Sequence, residues 1–499
     1  MLSHHLHHSH PVGGSYATDG FYLHLSQQLL DDFIRSGIDI GESTESLYHF
    51  AAALLTSYLE DIVCDSGQWR TFSALCQRMF GGPVPMYHDA EEEYYPDEPS
   101  LMAVRYLIYN AATEMDDIWW NPDTPELNQL ARIAYQRIDA TFEEAPVNDD
   151  LTADIDAMLD TAGHDFISMR PALTWLFSGC YVTASATSEE LLMRTFSEAK
   201  KMGNVMPEAR KQRYLAIMHS IFAYKIGPLA LYAKDYLAAL MHTRGKDMLA
   251  ADVEAIEVLP YRSYRYTIAD GGQWLSLEGT DGSRLQLARD EVTLTNKQLS
   301  ACDGCQATFV SYQGAWHLNG FMAVLPEIAN RWEQLCQADA DHLPQGGTTV
   351  TADWYLERTG GQQLFFFETP SQVAQYLKTQ FRFSDGEREF LNKFPISGKP
   401  IVMFIDKSEP KGCLQFSCEF TPCIAAPGNP FYNPETARME AIEMLWNDEY
   451  LTTGVMLYLL GHGYLPEVLT DDLISQSGTW RDRDADAHFL LRYMRREYY

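Results

Sequence analysis

The chain has 499 residues, of which 46% are apolar and 21% are charged, and its formal net charge is −32. This length predicts roughly three domains, since domains hold about 100–200 residues each. The apolar fraction is that of an ordinary globular protein and excludes general disorder. The excess of carboxylates would repel a phosphate backbone, which excludes a nucleic-acid-binding surface over the whole molecule but not a local basic patch.

Charge is unevenly distributed along the chain. Residues 86–160, here called the acidic segment, hold 19 Asp and Glu against 3 Arg; residues 194–246, the basic segment, hold 10 Lys and Arg against 3 Asp and Glu. The pattern favours neighbouring helices with complementary faces. Two functional interpretations stay open beside it: a basic protein partner at the acidic segment, or RNA at the basic segment, of which RNA is the less favoured.

The first 15 residues carry five histidines: His4, His5, His7, His8 and His10. Such a tract can bind a divalent metal, but termini are often disordered, and we expect residues 1–15 to be a flexible tail. The start lacks the charged and apolar regions of a secretory signal. No stretch reaches 18 consecutive apolar residues, so we expect a cytoplasmic protein without membrane contact. The nine cysteines are an odd number in a long chain, which argues against a disulfide scaffold.

Residues 16–250 are predicted to be helical. The stretch "DGFYLHLSQQLLDDFIRSG" repeats apolar residues at helical spacing between Asp19, the expected N-cap, and Gly37, the expected end. In "TPELNQLARIAYQRIDATF", Thr124 is the expected N-cap and Pro125 the first helical residue, where its missing N–H costs nothing. These signals predict a helical N-terminal domain.

The pattern changes to strands near residue 252. Short alternating runs such as "RYTIADGGQWLSLEGTDGSRLQLA" are broken by Asp-Gly and Gly-Gly, which supply the positive φ of hairpin turns. We predict a small β-barrel of five or six strands over residues 252–321. Residues 346–499 are predicted to form a β-β-α-β-β unit, starting with the strand "TADWYLER" and followed by helices. The predicted fold class is therefore α+β, with a helical domain, a central barrel and an α+β C-terminal domain.

Sequence motifs of catalysis are missing. The chain has no GxxxxGK[ST], HExxH or GxSxG, and no GxGxxG after a strand, which excludes the commonest motif-bearing NTPases, zincin proteases and serine hydrolases. No catalytic or cofactor-binding residue is predicted.

The one cofactor candidate is zinc at Cys302 and Cys305 in "ACDGC", whose spacing is that of half a tetrahedral thiolate site. Two thiolates alone do not hold zinc. A redox dithiol is a second interpretation. A plain Asp-Gly turn before a strand is the third, and the one we favour.

Four stretches resemble an uncharacterised family of Bacteroidetes-type bacteria that is known only as a domain of unknown function. They are "SYLEDIVCDSGQWRTF" (57–72), "DAEEEYYPDEPSLMAVRYLIY" (89–109), "FVSYQGAWHLNGF" (309–321) and "NPFYNPETARMEA" (429–441). The resemblance extends from about residue 20 to 475, without the His-rich start and the tail after about 480. It implies a cytoplasmic bacterial protein and brings no activity or site residue.

The sequence thus favours a non-catalytic intracellular protein-binding or regulatory protein. The missing motifs, the helical scaffold and the small barrel, a fold type often used for binding, motivate this hypothesis. The alternatives are a metal-dependent hydrolase with dispersed site residues, and RNA binding through the basic segment.

Overall fold

The computed structural model describes most of the chain, in the ranges 9–11, 13, 15–41, 43–88, 93–116, 119–183, 185–201, 209–341, 351–383, 398–408, 413–447, 450–465, 473–474 and 479–496. The chain divides into two units, residues 1–340 and 341–499. Both helices and sheets are present, and the N-terminal region is helical, so the predicted α+β class is confirmed. None of the described helices has the length and hydropathy needed to cross a lipid bilayer.

The first unit begins with a series of helices. They are α1 (Asp19–Ser36), α2 (Thr44–Cys64), α3 (Gln68–Phe80), α4 (Leu101–Asp116), α5 (Pro125–Phe142), α6 (Asp149–Ala162), α7 (Phe166–Ser178), α8 (Ala186–Lys201), α9 (Ala209–Ala223), α10 (Ala233–Thr243) and α11 (Asp247–Glu254). Two short antiparallel strands, β1 (Lys225–Ile226) and β2 (Leu231–Tyr232), pair between α9 and α10.

Helix ends largely follow the sequence signals. Gly37 follows α1 with a φ of 64°, and Pro125 opens α5 after Thr124. The N-cap prediction for Asp19 is wrong, because Thr18 occupies that position and Asp19 is the first helical residue. The Asp19 carboxylate is turned back to the preceding backbone, where it accepts a hydrogen bond from the N–H of Tyr16.

Helix α2 lies at the centre of this region. Every residue from 51 to 62 is buried, so the helix has no solvent face along three turns. A helix that is apolar on all sides is typical of a core position. The consequence is that Glu60 and Asp61, which belong to this run, are both buried and need partners inside the protein.

The strands of the first unit form one closed sheet. They are β3 (Val258–Ala269), β4 (Trp274–Gly279), β5 (Arg284–Ala288), β6 (Gly304–Tyr312) and β7 (Ala315–Leu325). Their order is β3-β4-β5-β7-β6, and β6 pairs with β3. Neighbours are antiparallel except β5 and β7, which meet in parallel at Leu287 and Trp316. The predicted hairpin turns are confirmed, since Gly271, Gly272 and Gly282 all have positive φ.

Alternation along the strands separates the two faces of this sheet. Tyr264, Leu277, Leu285 and other apolar side chains fill its interior, and the residues between them point outward. The sheet also contacts the helices: Asn319 Nδ2 donates to the carbonyl of Met218 at 2.7 Å. Whether helices and sheet are separate domains, with boundaries near 250 and 321, stays a prediction. The short helix α12 (Asn296–Ser300) lies between β5 and β6, and α13 (Trp332–Asp341) follows β7.

The second unit combines a small sheet with helices. Its elements are α14 (Ala352–Thr359), β8 (Leu364–Phe367), α15 (Pro370–Phe381), β9 (Ile401–Ile405), β10 (Leu414–Ser417), α16 (Pro434–Trp446), α17 (Thr453–Gly461) and α18 (Trp480–Met494). The sheet is antiparallel in the order β10-β9-β8. All five residues of the central strand β9 are buried, as expected for a strand covered on both faces.

One predicted strand of this unit is wrong, because "TADWYLER" forms helix α14. Thr351 stands at the N-cap position, and Gly360 ends the helix with a φ of 68°. The two aromatic residues of this stretch favour a strand. In the structure, however, the Tyr355 ring packs edge-on against Phe381 of α15, with ring centroids 4.7 Å apart. Tertiary packing here overrides the strand propensity of aromatic residues.

Candidate functional site

A histidine and two carboxylates meet inside the helical region. His10, Asp19 and Glu60 are 3%, 7% and 1% exposed. One ligand atom from each lies within 4.8 Å of the others, and His10 Nε2 is 3.0 Å from Glu60 Oε2. Imidazole nitrogen and carboxylate oxygen are the atoms with which proteins hold zinc and related metals. These three residues are here called the His10 cluster.

Neighbouring groups orient both carboxylates of the His10 cluster. Asn148 Nδ2 donates to Glu60 Oε1 at 2.8 Å, which leaves Oε2 for His10. The backbone N–H of Tyr16 donates to Asp19 Oδ2 at 2.9 Å. The rings of His10 and Tyr16 are in contact, with centroids 4.7 Å apart. Each ligand candidate is therefore fixed by a partner behind it, as in metal sites whose outer hydrogen bonds set ligand direction.

The backbone next to His10 is also held in place. Trp175 Nε1 of α7 donates to the carbonyl of Ser9 at 2.8 Å, and the Ser57 and Ser9 hydroxyls lie 3.3 Å apart. Both Ser9 and His10 are buried. Ser9 and His10 are thus held against the helical region. Residues 1–8 lie outside the described part of the chain, and the flexible tail over residues 1–15 stays a prediction.

Negative charge dominates the surroundings of the His10 cluster. Burial raises the pKa of Tyr16 well above its ordinary range, and the hydrogen bond to Asp154 raises it further, as do the charges of Asp154, Glu60 and Asp19. Burial also raises the pKa of the Cys64 thiol to about 12, with a smaller contribution from Glu60. Both groups therefore stay protonated at neutral pH in this environment.

Asp61 has a separate, structural environment. Its carboxylate accepts the backbone N–H groups of Gln68 at 3.1 Å and Trp69 at 2.5 Å, which caps the start of α3 from another helix. The Tyr181 hydroxyl donates to it at 2.7 Å. Burial raises the pKa of Asp61, and these hydrogen bonds oppose that rise. They satisfy a buried carboxylate that the apolar helix would otherwise leave without partners.

The two cysteines singled out in the sequence lie at the closed sheet. Cys305 is buried in its interior, and burial raises the pKa of the thiol to about 12. Cys302 packs against the same core. Between them, the Asp303 carboxylate accepts the N–H groups of Ile328 at 2.7 Å and Ala329 at 3.0 Å. Gly304 is already the first residue of β6, and the favoured Asp-Gly turn stays a prediction. Within the described ranges, no third ligand atom joins the two thiols, and zinc at this place stays a prediction.

The acidic and basic segments are in contact with each other. Arg244 donates from Nε and Nη2 to Asp156 at 3.1 and 2.7 Å, and Lys246 pairs with Asp160. The expected complementarity between neighbouring helices is present at this edge. Parts of both segments lie outside the described residues, so the basic partner and the RNA interpretation stay predictions.

The outer face of β3, β4 and β5 carries an open groove of about 680 Å³. Outward side chains cross the three strands in two rows, set by the strand register: Arg265, Glu278 and Arg284, then Thr267, Ser276 and Gln286. Trp274 stands on the next row of the same face and is 37% exposed. We call this surface the barrel groove. The two outward rows line it together with Asp303, Trp316 and Ala329, while Trp274 stands beside it.

Fold and site together define an α+β protein with a closed five-stranded sheet and an internal cluster of one histidine and two carboxylates. The chain belongs to the family described as "Protein of unknown function (DUF3843)", whose model matches residues 4–259 and 345–496. No curated protein and no solved structure matches the chain.

The matched ranges correct the extent of the resemblance seen in the sequence. They include part of the His-rich start and the end of the chain to residue 496, both expected to lie outside. They leave out "FVSYQGAWHLNGF" (309–321) with most of the closed sheet. The His10 cluster therefore lies in the matched part of the chain, and the barrel groove does not.

Sequence reasoning found one of the three cluster residues. It named His10 within a possible metal-binding tract, interpreted Asp19 as a helix cap, and gave Glu60 no role. The overlooked signal is the Glu-Asp pair at 60–61, inside a helix without a polar face. Charged residues are almost never fully buried unless they are paired, so such a position predicts an internal partner.

Proposed function

We propose that this chain is a non-catalytic protein-binding protein whose closed sheet acts as a small β-barrel binding module. The observation that carries the proposal is the barrel groove, an open surface lined by Arg265 and Arg284, with the exposed indole of Trp274 beside it on the same face of the sheet. Arginine and tryptophan are enriched among the residues that dominate binding energy at protein interfaces. Thr267, Ser276 and Gln286 in its lining offer hydrogen-bonding groups to an extended segment of a partner.

One exposed arginine of the groove favours a partner with a carboxylate at that point. Arg265 and Arg284 flank one carboxylate, Glu278, and the Arg284 side chain is 79% exposed. Hydrogen bonding to Arg265 and then Arg284 lowers the pKa of Glu278, so the row stays ionised at neutral pH. Asp303 also lines the groove and balances the second arginine. The charge that the groove offers to a partner carboxylate is therefore that of the exposed Arg284, not a net positive surface.

Site-directed crosslinking tests this proposal. A photo-crosslinking amino acid at Gln286, in the groove, should give one reproducible adduct with a native protein in cells. The same residue at Met248, an exposed position on α11, is the matched control and should give none. Replacing Trp274 by Ala or Arg284 by Ala should lower the yield at Gln286 several-fold, with unchanged circular dichroism. Equal adducts at both positions would rule out the groove as the binding surface.

The metal-dependent hydrolase is the second candidate, and the His10 cluster is the observation that favours it. Catalytic metal sites keep an open coordination position for water and substrate. All three cluster residues are buried, which favours a structural role over hydrolysis. A location in a bacterial cytoplasm stays a prediction of the sequence.

A further inference from the structure

The His10 cluster brings two carboxyl groups together with one imidazole. With both carboxylates ionised, a protonated His10 offsets one of the two charges, and a neutral His10 offsets none. An ion buried without compensation destabilises the fold. One divalent cation beside a neutral imidazole would balance Asp19 and Glu60 together, which is the charge that a zinc-class metal carries.

The distances of the cluster match metal ligation. In a tetrahedral site with bonds of about 2.0 Å, two ligand atoms are about 3.3 Å apart. His10 Nε2 and Glu60 Oε2 are 3.0 Å apart, with the Asp19 carboxylate within 4.8 Å. His10 and Glu60 are therefore already at ligand spacing, and Asp19 would have to move closer to complete the set. Asn148 already holds the other oxygen of Glu60, and the Tyr16 N–H holds the Asp19 carboxylate through Oδ2.

We propose that His10, Asp19 and Glu60 form a structural site for a divalent transition metal of the zinc class. An imidazole ligand favours zinc and its neighbours over magnesium and calcium, which prefer oxygen alone. The ligands come from two places in the chain, residues 10–19 and helix α2. The bound metal fixes the start of the chain onto the central helix, and it does so independently of the barrel groove.

The neighbouring histidines must be removed before zinc is measured. The background variant therefore replaces His4, His5, His7 and His8 by Asn and keeps His10. After dialysis against zinc and removal of the excess, elemental analysis should find one zinc per chain. Removal of that zinc with EDTA should lower the melting temperature, because a ligand that binds only the folded state stabilises it. A background variant without zinc would overturn the proposal.

Site variants then locate the metal. Glu60→Gln in the background variant should weaken zinc binding at least about tenfold, the effect typical of disturbed metal sites. His24→Asn, an exposed histidine on α1, is the matched control and should leave binding unchanged. Unchanged zinc affinity in a folded Glu60→Gln protein would contradict the site.

A measurement on the unmutated chain tests the site without depending on whether a variant folds. Zinc K-edge absorption of the chain loaded with one equivalent of zinc should show a single imidazole among oxygen ligands. Three or more imidazoles would assign the metal to the N-terminal histidine tract and overturn the proposal.

Discussion

At Gly304, the first residue of β6, the backbone passes so close to Ile328 that no side chain fits. A Cβ built there would lie 2.3 Å from Cγ2 and 2.6 Å from Cδ1 of Ile328. Ile328 is itself buried, and its backbone N–H is held by the Asp303 carboxylate. Neither residue can move away at low energetic cost, because Gly304 belongs to a hydrogen-bonded strand and the Ile328 backbone is held by Asp303. The Asp-Gly pair therefore has two separate roles. The Asp303 carboxylate accepts the backbone N–H of Ile328, and Gly304 leaves space for the Ile328 side chain.

Gly304→Ala should lower the free energy of unfolding by about 1–3 kcal/mol, the usual cost of overpacking a filled interior. Urea denaturation, monitored by tryptophan fluorescence, measures this loss of unfolding free energy. Gly20→Ala is the control, because a Cβ at Gly20 meets nothing within 4 Å and Gly20 lies in helix α1. That variant should be neutral or slightly stabilising. Equal stability of the Gly304 variant and the unmutated chain would refute the close-packing argument.

At the scale of elements, helix α6 is linked to the end of α10 by Asp156 and Arg244. The two-pronged hydrogen bond from Arg244 lowers the pKa of Asp156, with further contributions from the charges of Arg244 and Lys246. A carboxyl whose folded-state pKa lies below its unfolded value stabilises the fold at pH above the unfolded value. This contribution is lost as the pH falls through the folded-state pKa.

Asp156→Asn should therefore destabilise the protein near pH 7 and have a shrinking effect below about pH 4, the ordinary range of an aspartate. Because 37% of the Asp156 side chain is exposed, solvent screening limits the loss to about 1 kcal/mol or less. Urea unfolding at pH 7 and at pH 3 measures the difference. Asp290→Asn, an exposed carboxylate in the turn of 3-10 helix that follows β5, is the control. A difference that grows toward low pH would contradict the ion pair.

Secondary-structure elements could be predicted from the sequence where neighbouring residues alone determine the backbone conformation. Asp-Gly and Gly-Gly placed the hairpins of the closed sheet, and Pro125 placed the start of α5, because both depend on backbone dihedral angles alone. Helix α14 was missed because its aromatic residues pack against α15, a contact distant in the sequence. The His10 cluster was missed for the same reason: residues 10, 19 and 60 meet only after α2 has become the centre of the helical region.

For the whole molecule, the division into residues 1–340 and 341–499 makes the connection between the units the expected place of first cleavage. The letters "DHLPQGGTT" at 341–349 combine Pro344 with Gly346 and Gly347, a composition that disfavours helix and strand alike. A protease needs several residues of extended chain, which the closed sheet does not offer, because its strands are hydrogen-bonded on both sides.

Brief digestion with a protease of broad specificity should therefore give two fragments that meet between residues 341 and 350, identified by mass spectrometry. Both should resist further digestion longer than the urea-denatured chain, which serves as the control. First cuts within residues 258–325 would contradict a stable closed sheet. Cuts that begin among the helices before residue 250 would instead place the weakest point of the molecule inside the first unit, since local opening exposes a chain to proteases where stability is lowest.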